Sequence, residues 1–388
     1  MKDKVDPVVD EAIESLNMQD GPARRKLLKG AGLFSATAAA SALISACTSS
    51  SNSNAGTTKK VAGNFPTTPK WQFWFVNHVT TNQFFTPTQY GMADAAALLG
   101  LPTPKWGGSE TSTVSQMTTY ISTAVSAKAD GIAVAVIDPN AFKGPIENAM
   151  NKGIPVLSYN ADGSFANGKA EIGSNRLAYV GQALYISGQT LGNEIISRVP
   201  GGGDVAIFIA TPGSGNIQPR YDGAAAVLKA KGGYNVHEVA TGALTGQEQA
   251  AIKAYLLGHK SIKGAFAVDG GSTEFLGGQL KAAGLKIPSG GFDTTGLSLP
   301  AIKAGEMDFT IYQDPYLQGF LPVVYMYLYN LSGGTIVPSD TDTGLSVITK
   351  ASLGNYQVSS RFQGQTTKQL YVKRPAGAIQ NPQATTST

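Results

Sequence analysis

An apolar run that turns through a short polar loop directly into an amphipathic helix opens the folded part of this chain. Residues 71–76, WQFWFV, form a continuous aromatic and β-branched run, the pattern of a strand buried on both faces of a parallel sheet. Thr86 is placed to cap the helix that follows, and Pro87 sits where a first turn tolerates proline. Phe85, Met92, Ala96 and Leu99 recur at helical spacing, and Gly100 with Pro102 ends the helix. Strand, loop and helix make the first half of a βαβ unit. The loop, residues 77–85, carries His78, Asn82, Phe84 and Phe85, and the crevice beyond the carboxyl ends of such strands is where open α/β sheets bind ligand. Phe85 also fits the helix stripe, so a core role is its alternative.

The alternation then continues. Residues 104–106 suit a short strand and 113–127 a helix with Val114, Met117, Ile121 and Val125 on one face. GIAVAVI at 131–137 reads as a buried strand that turns at Asp138, Pro139 and Asn140 into a helix over 142–151, and 155–159 is the next strand. Helices are expected at 176–198, 221–231, 247–257, 273–283 and 316–330, with strands at 204–209, 234–239, 264–268, 286–292 and 309–313. This order means α/β architecture with parallel, doubly wound sheets. One sheet with so many strands would be unusually large, so two lobes are expected. Right-handed crossovers put the strand ends of each lobe along one edge.

Residues 1–47 read as an address. Arg24 and Arg25 form a twin-arginine pattern, followed by a weakly apolar run over 32–46 and then Ile44, Ser45, Ala46 and Cys47, which resemble a lipobox. That run is too short and too rich in alanine and serine for a membrane span of about 20 strongly apolar residues. Cys47 is the single cysteine of the chain, so it forms no internal disulfide, and its place argues for lipidation. Residues 48–65 read as a flexible tether and 374–388 as a disordered tail. The net charge of +4 is too mild and scattered to argue for nucleic acid.

Catalytic patterns are weak. His78, His237 and His259 have no zinc-motif spacing. Gly168-Lys169 is followed by Ala170 where a phosphate loop needs Ser or Thr, and Gly213, Ser214 and Gly215 lead to Gln218 where a dinucleotide loop needs glycine. No metal or cofactor is expected.

Over residues 70–350 the element order and strand ends resemble the type I periplasmic sugar-binding proteins, the ribose-binding kind of ABC-importer solute receptor. Asn82, Gln83, Phe84 and Phe85 resemble that family's Asn-Pro-Phe-Phe loop, and IPVLSYNAD resembles its strand ending in a ligand-binding Asp-Arg pair, with Asn160 at the Asp position. GAFAVDGGS places Asp269, GGFDTTG places Asp293 and FTIYQDP places Gln313 at the ligand. Departures lie at Asn160 and Ala161, which replace the acid and arginine, and at Gln218 and Leu244, which replace an arginine and a phenylalanine; Arg220 keeps a nearby Arg-x-x-Gly pattern. Ribose is therefore not the expected ligand. The resemblance implies two lobes, 66–173 plus 315–345 and 174–314 plus 346–373, joined by three crossovers near 173–175, 313–315 and 345–349.

The residue types fit a polyhydroxylated ligand. Aspartate accepts hydroxyl hydrogens, asparagine and glutamine donate and accept, and arginine donates in a fixed fork. Aromatic rings such as Phe84, Phe85 and Trp106 cover sugar C–H faces. Each candidate has a structural alternative: a helix cap for Asp269 and Asp293, a loop clamp for Arg220, core cover for Trp106. The expectation is a monomeric, lipid-anchored extracytoplasmic receptor that traps a neutral monosaccharide or polyol and presents it to an ABC permease, touching the membrane only through its lipid. The alternatives are an enzyme on the same scaffold and a sugar receptor for chemosensing or signalling.

Overall fold

The computed structural model describes residues 63–163, 176–356, 360–368, 371–373 and 376. The expected leader with Cys47, most of the tether and nearly all of the tail lie outside the described residues. Along the chain run β1 (Phe73–Asn77), α1 (Thr86–Leu98), β2 (Lys105–Gly108), α2 (Val114–Ser126), β3 (Gly131–Val136), α3 (Pro139–Asn151), β4 (Val156–Asp162) and β5 (Tyr179–Gly181). There follow α4 (Leu184–Arg198), β6 (Gly203–Ile209), α5 (Gln218–Lys231), β7 (Tyr234–Ala240), α6 (Thr245–Gly258), β8 (Gly264–Ala267), α7 (Gly270–Ala282), β9 (Ser289–Phe292), α8 (Ser298–Ala304) and β10 (Phe309–Tyr312). The last elements are α9 (Pro315–Leu331), β11 (Thr341–Asp342) and β12 (Ser346–Thr349).

Two sheets result. The first has the order β2-β1-β3-β4-β5-β11 with every neighbour parallel. The second has the order β7-β6-β8-β9-β10-β12, parallel except where β12 runs against β10. Each sheet therefore reverses its winding once, between β1 and β3 and between β6 and β8. Such switch points open a crevice at the strand carboxyl ends. β3 and β8 are buried along their whole length, as strands covered by helices on both faces must be.

Two helices of the first lobe start on aspartate caps. Asp138 accepts from the backbone N–H of Asn140 and Ala141 at 3.0 and 3.1 Å to start α3, and Asp314 accepts from Leu317 N at 3.2 Å to start α9. In each lobe two helices cross backbone to backbone through glycine. A methyl at Gly319 of α9 would overlap the Thr88 carbonyl of α1, and one at Gly223 of α5 would overlap the Tyr185 carbonyl of α4.

The chain passes between lobes after β5, after β10 and between β11 and β12. α9 returns to the first lobe, where Val323, Met326 and Tyr327 join its core. Several expectations are corrected here. Thr86 is inside the helix, not its cap; Asn82 caps a preceding 3-10 turn by accepting from Phe84 N at 2.9 Å. The expected helix over 176–198 is the strand β5 followed by α4. Tyr179 and Val180 are β-formers, and Asp340 holds the strand from the edge by accepting from Tyr179 N at 2.8 Å. The first crossing thus falls after Gly181, beyond the expected 173–175.

Residues 360–368, expected in the second lobe, lie on the first. Arg361 Nε donates to both carboxylate oxygens of Asp94 at 3.0 and 2.9 Å, and its guanidinium lies 4.0 Å from the Tyr90 ring centroid. Phe362 packs edge-on against Tyr316 at 4.9 Å. A bidentate ion pair stacked on an aromatic ring fixes a polar segment that carries no apolar period of its own.

Candidate functional site

The lobes enclose one cavity of about 90 Å³ at the two switch points. The loop after β1 supplies His78, Asn82, Phe84 and Phe85, the end of β4 supplies Asn160, and the loop after β6 supplies Ser214, Asn216 and, on α5, Arg220. Glu248, Asp269, Asp293 and Gln313 complete the wall from the second lobe and the hinge. Eight of the nine binding residues expected from the sequence are therefore brought together. Trp106 is not among the residues lining the cavity. Its indole Nε1 donates to the Thr80 carbonyl at 3.1 Å and its ring packs against Phe75 and Phe85, so it supports the loop from behind.

Two side chains of the cavity wall, and the helix cap beside it, stand on unusual backbone. Asn160, two residues before the end of β4, has a φ of 61°, Asp293, just after β9, a φ of 75°, and Asp314, after Gln313, a φ of 51°. This left-handed region is disfavoured for residues with a Cβ, and Asn and Asp tolerate it best. The strained backbone at the cleft is held by packing around it.

Hydrogen bonds tie the site to the hinge. Asn160 Nδ2 donates to Gln318 Oε1 at 3.0 Å, Gln318 Nε2 donates to Gln313 Oε1 at 3.1 Å, and Gln313 Nε2 donates to Asp293 Oδ1 at 2.8 Å. This chain of amides runs from the first lobe through the second crossing into the second lobe. Asp269 is more heavily used by the protein: it accepts from Ala210 N and Ser272 N at 2.9 and 2.8 Å and from the Ser272 hydroxyl at 3.1 Å, capping α7. Arg220 donates to the Val268 carbonyl and to Gln182 Oε1, lies over the Phe292 ring, and keeps its Nε without a partner.

Burial dominates the electrostatics. It pushes the Asp293 carboxyl up to about 6, against the pull of Arg220 and of the Gln313 hydrogen bond. It also raises Asp269, while its hydrogen bonds from Ser272 and Ala210 oppose that rise, and it lowers Arg220 against the nearby carboxylates. An arginine and two acids gathered around one cavity present strong donors and acceptors to neutral hydroxyl groups.

The lobes meet at the rim of the cavity. Gly215 N donates to the Ile137 carbonyl at 3.2 Å, and Asn216 Nδ2 lies 3.1 Å from His78 Nε2. Asn216 Oδ1 accepts from the Ser214 hydroxyl, so its amide hydrogens face the imidazole. His78 is therefore the acceptor and neutral, in keeping with a pKa lowered by burial to about 4. Asn216, Ser214 and Glu248 carry no binding role in the sequence analysis. A contact formed only when two lobes close leaves no periodic signal in the chain.

A family model described as a periplasmic binding protein domain matches residues 73–334. The chain is 46% identical over 317 residues to the xylose/arabinose-binding protein XylF of Sulfolobus acidocaldarius, covering 79% of this chain and 77% of that protein. Among solved structures, an ABC-transporter solute-binding protein from Burkholderia graminis in complex with D-arabinose aligns at a TM-score of 0.67 and 23% identity, over 75% of this chain and 99% of its own. A carbohydrate transporter protein from Acidothermus cellulolyticus in complex with myo-inositol aligns at 0.65 and 24%, over 77% and 100%. At these identities the two structures speak for the fold.

Proposed function

The chain belongs to the type I periplasmic sugar-binding proteins, the receptors that serve ABC transporters, and from that premise we propose that it traps one neutral monosaccharide in the closed cleft, with Asn160, Arg220, Asp269, Asp293 and Gln313 on its hydroxyls and Phe84 and Phe85 on its C–H face. Asn82 lies at the rim of the same site. The observation that carries this is the convergence of those side chains, from both lobes, on one small cavity. The relative named for xylose and arabinose makes a pentose the first candidate. The ligand leaves unchanged: the receptor performs no reaction on it and needs no metal or cofactor. Binding closes the lobes about the hinge, since contacts from both sides stabilise the closed form.

The proposal extends to the leader. Arg24 and Arg25 direct export, Cys47 takes the lipid, and the monomeric receptor works on the outer side of the cytoplasmic membrane beside its permease. The test of ligand class is a thermal-shift screen of D-xylose, L-arabinose, hexoses and polyols. A true ligand at ~100 times its dissociation constant adds about 2.7 kcal/mol of stability. A panel without any stabilising sugar would reject the reading.

A further inference from the structure

Two glycines open α7, and each makes room for a carboxyl of the cavity wall. A methyl at Gly270 would lie 2.9 Å from Asp293 Oδ2, and one at Gly271 would overlap the carboxyl of Glu248. Glu248 comes from the first turn of α6, where an acid ordinarily faces water and complements the helix dipole. Here the residue is only 6% exposed and lines the cavity. Among the described residues no hydrogen bond reaches its carboxyl. A carboxyl in the cavity wall that takes no hydrogen bond from the protein is left to bond whatever occupies the cavity.

We propose that Glu248 is a ligand-contacting residue that reads one sugar hydroxyl from the second-lobe wall of the cleft. This rests on the sugar-receptor reading above and adds a residue to it. The charged groups that face Glu248 are Asp269, at the start of α7, and Glu274 of α7, both acids. Burial, and then those two carboxyls, push its pKa up to about 8, so at neutral pH it keeps its proton. A neutral carboxylic acid has an O–H to donate as well as an oxygen to accept, whereas the ionised Asp293 can only accept. Glu248 thereby selects a hydroxyl oriented to receive a hydrogen bond, which discriminates between epimers at that carbon.

The experiment is titration calorimetry with D-xylose, L-arabinose, D-glucose and myo-inositol on the wild type, Glu248→Ala, Glu248→Gln and Asp293→Ala, from pH 6 to 9.5. The tightest sugar is expected to lose about tenfold in affinity with Glu248→Ala and less with Glu248→Gln, whose amide keeps one donor and one acceptor. Wild-type affinity is expected to fall above pH ~8, and Glu248→Gln to flatten that fall. Full affinity in Glu248→Ala, with binding lost in Asp293→Ala, overturns the role of Glu248 and leaves the receptor reading in place. An alkaline fall that survives in Glu248→Gln, or a 2-amino sugar that binds more tightly than its hydroxyl parent at pH 7, also overturns it. Failure of the wild type to bind any of the sugars would reject the receptor reading first.

Discussion

Asp293→Asn separates what the site gives to binding from what it takes from stability. Asparagine keeps the left-handed backbone at this position and an oxygen to accept from Gln313 Nε2, but it cannot ionise. In the closed fold burial pushes the carboxyl up to about 6, against its ordinary value of 3.8 in the unfolded chain. The native state thus holds a proton that the unfolded state releases between pH ~4 and 6, and stability falls as pH rises through that window. A gap of roughly two units corresponds to about 3 kcal/mol at most, since each unit is worth ~1.36 kcal/mol. The variant should therefore be more stable than the wild type at pH 7, by up to about 3 kcal/mol, and the two should converge near pH 4. Its sugar affinity should drop about tenfold, because a hydrogen bond to a charged group contributes roughly 1.5–3 kcal/mol and a neutral one about 0.5–1.5. Urea unfolding across pH 4–8 gives the first quantity and calorimetry the second. A variant less stable at pH 7, or a stability difference that persists at pH 4, would refute this reasoning and make the carboxylate a structural anchor for Arg220.

Other expectations follow from the helix crossing, the rim and the leader. Gly319→Ala forces a methyl against the Thr88 carbonyl, and urea unfolding should report a loss of about 1–3 kcal/mol or more; an unchanged midpoint would mean that α1 and α9 can separate freely. Asn216→Ala removes the rim bond to His78, so stopped-flow release of sugar should quicken about two- to tenfold, as one neutral hydrogen bond is lost; unaltered release would place closure elsewhere. Cys47→Ala should leave the protein unanchored in cell fractionation, and its normal membrane attachment would contradict the lipid assignment.

The sequence made the architecture plain because buried parallel strands and covering helices each have their own period. GIAVAVI could hardly be anything but a central strand, and β3 is that strand. β5 escaped because three residues are too few to display a period, and the helix behind it lent them its own pattern. The segment 360–368 escaped for the opposite reason: it is held on the first lobe by the Arg361–Asp94 ion pair, the stacking of Arg361 on Tyr90 and the packing of Phe362 on Tyr316, all between residues with no local relation. Strand-end residues such as Asp293, Asn160 and Gln313 were legible because topology dictates where a strand end points. Glu248 was not, since an acid in a first helical turn is the commonest solvated arrangement. Trp106 misled because an aromatic beside a cleft and an aromatic behind its wall have the same sequence context.

The placement of α9 also sets an order of events during synthesis. Its side chains Val323, Met326 and Tyr327 fill the first lobe, and its Gly319 seats α1, yet the whole parallel part of the second lobe is made before it. At ~5–20 residues per second, roughly 10–45 s separate the emergence of α1 from that of the helix that covers it. Through that interval the first lobe's sheet presents an uncovered apolar face to whatever surrounds the ribosome, while the second lobe has already gathered nearly all of its own strands. The half of the receptor that begins first is the half that must wait, and a chain that stalls before residue 315 leaves it open.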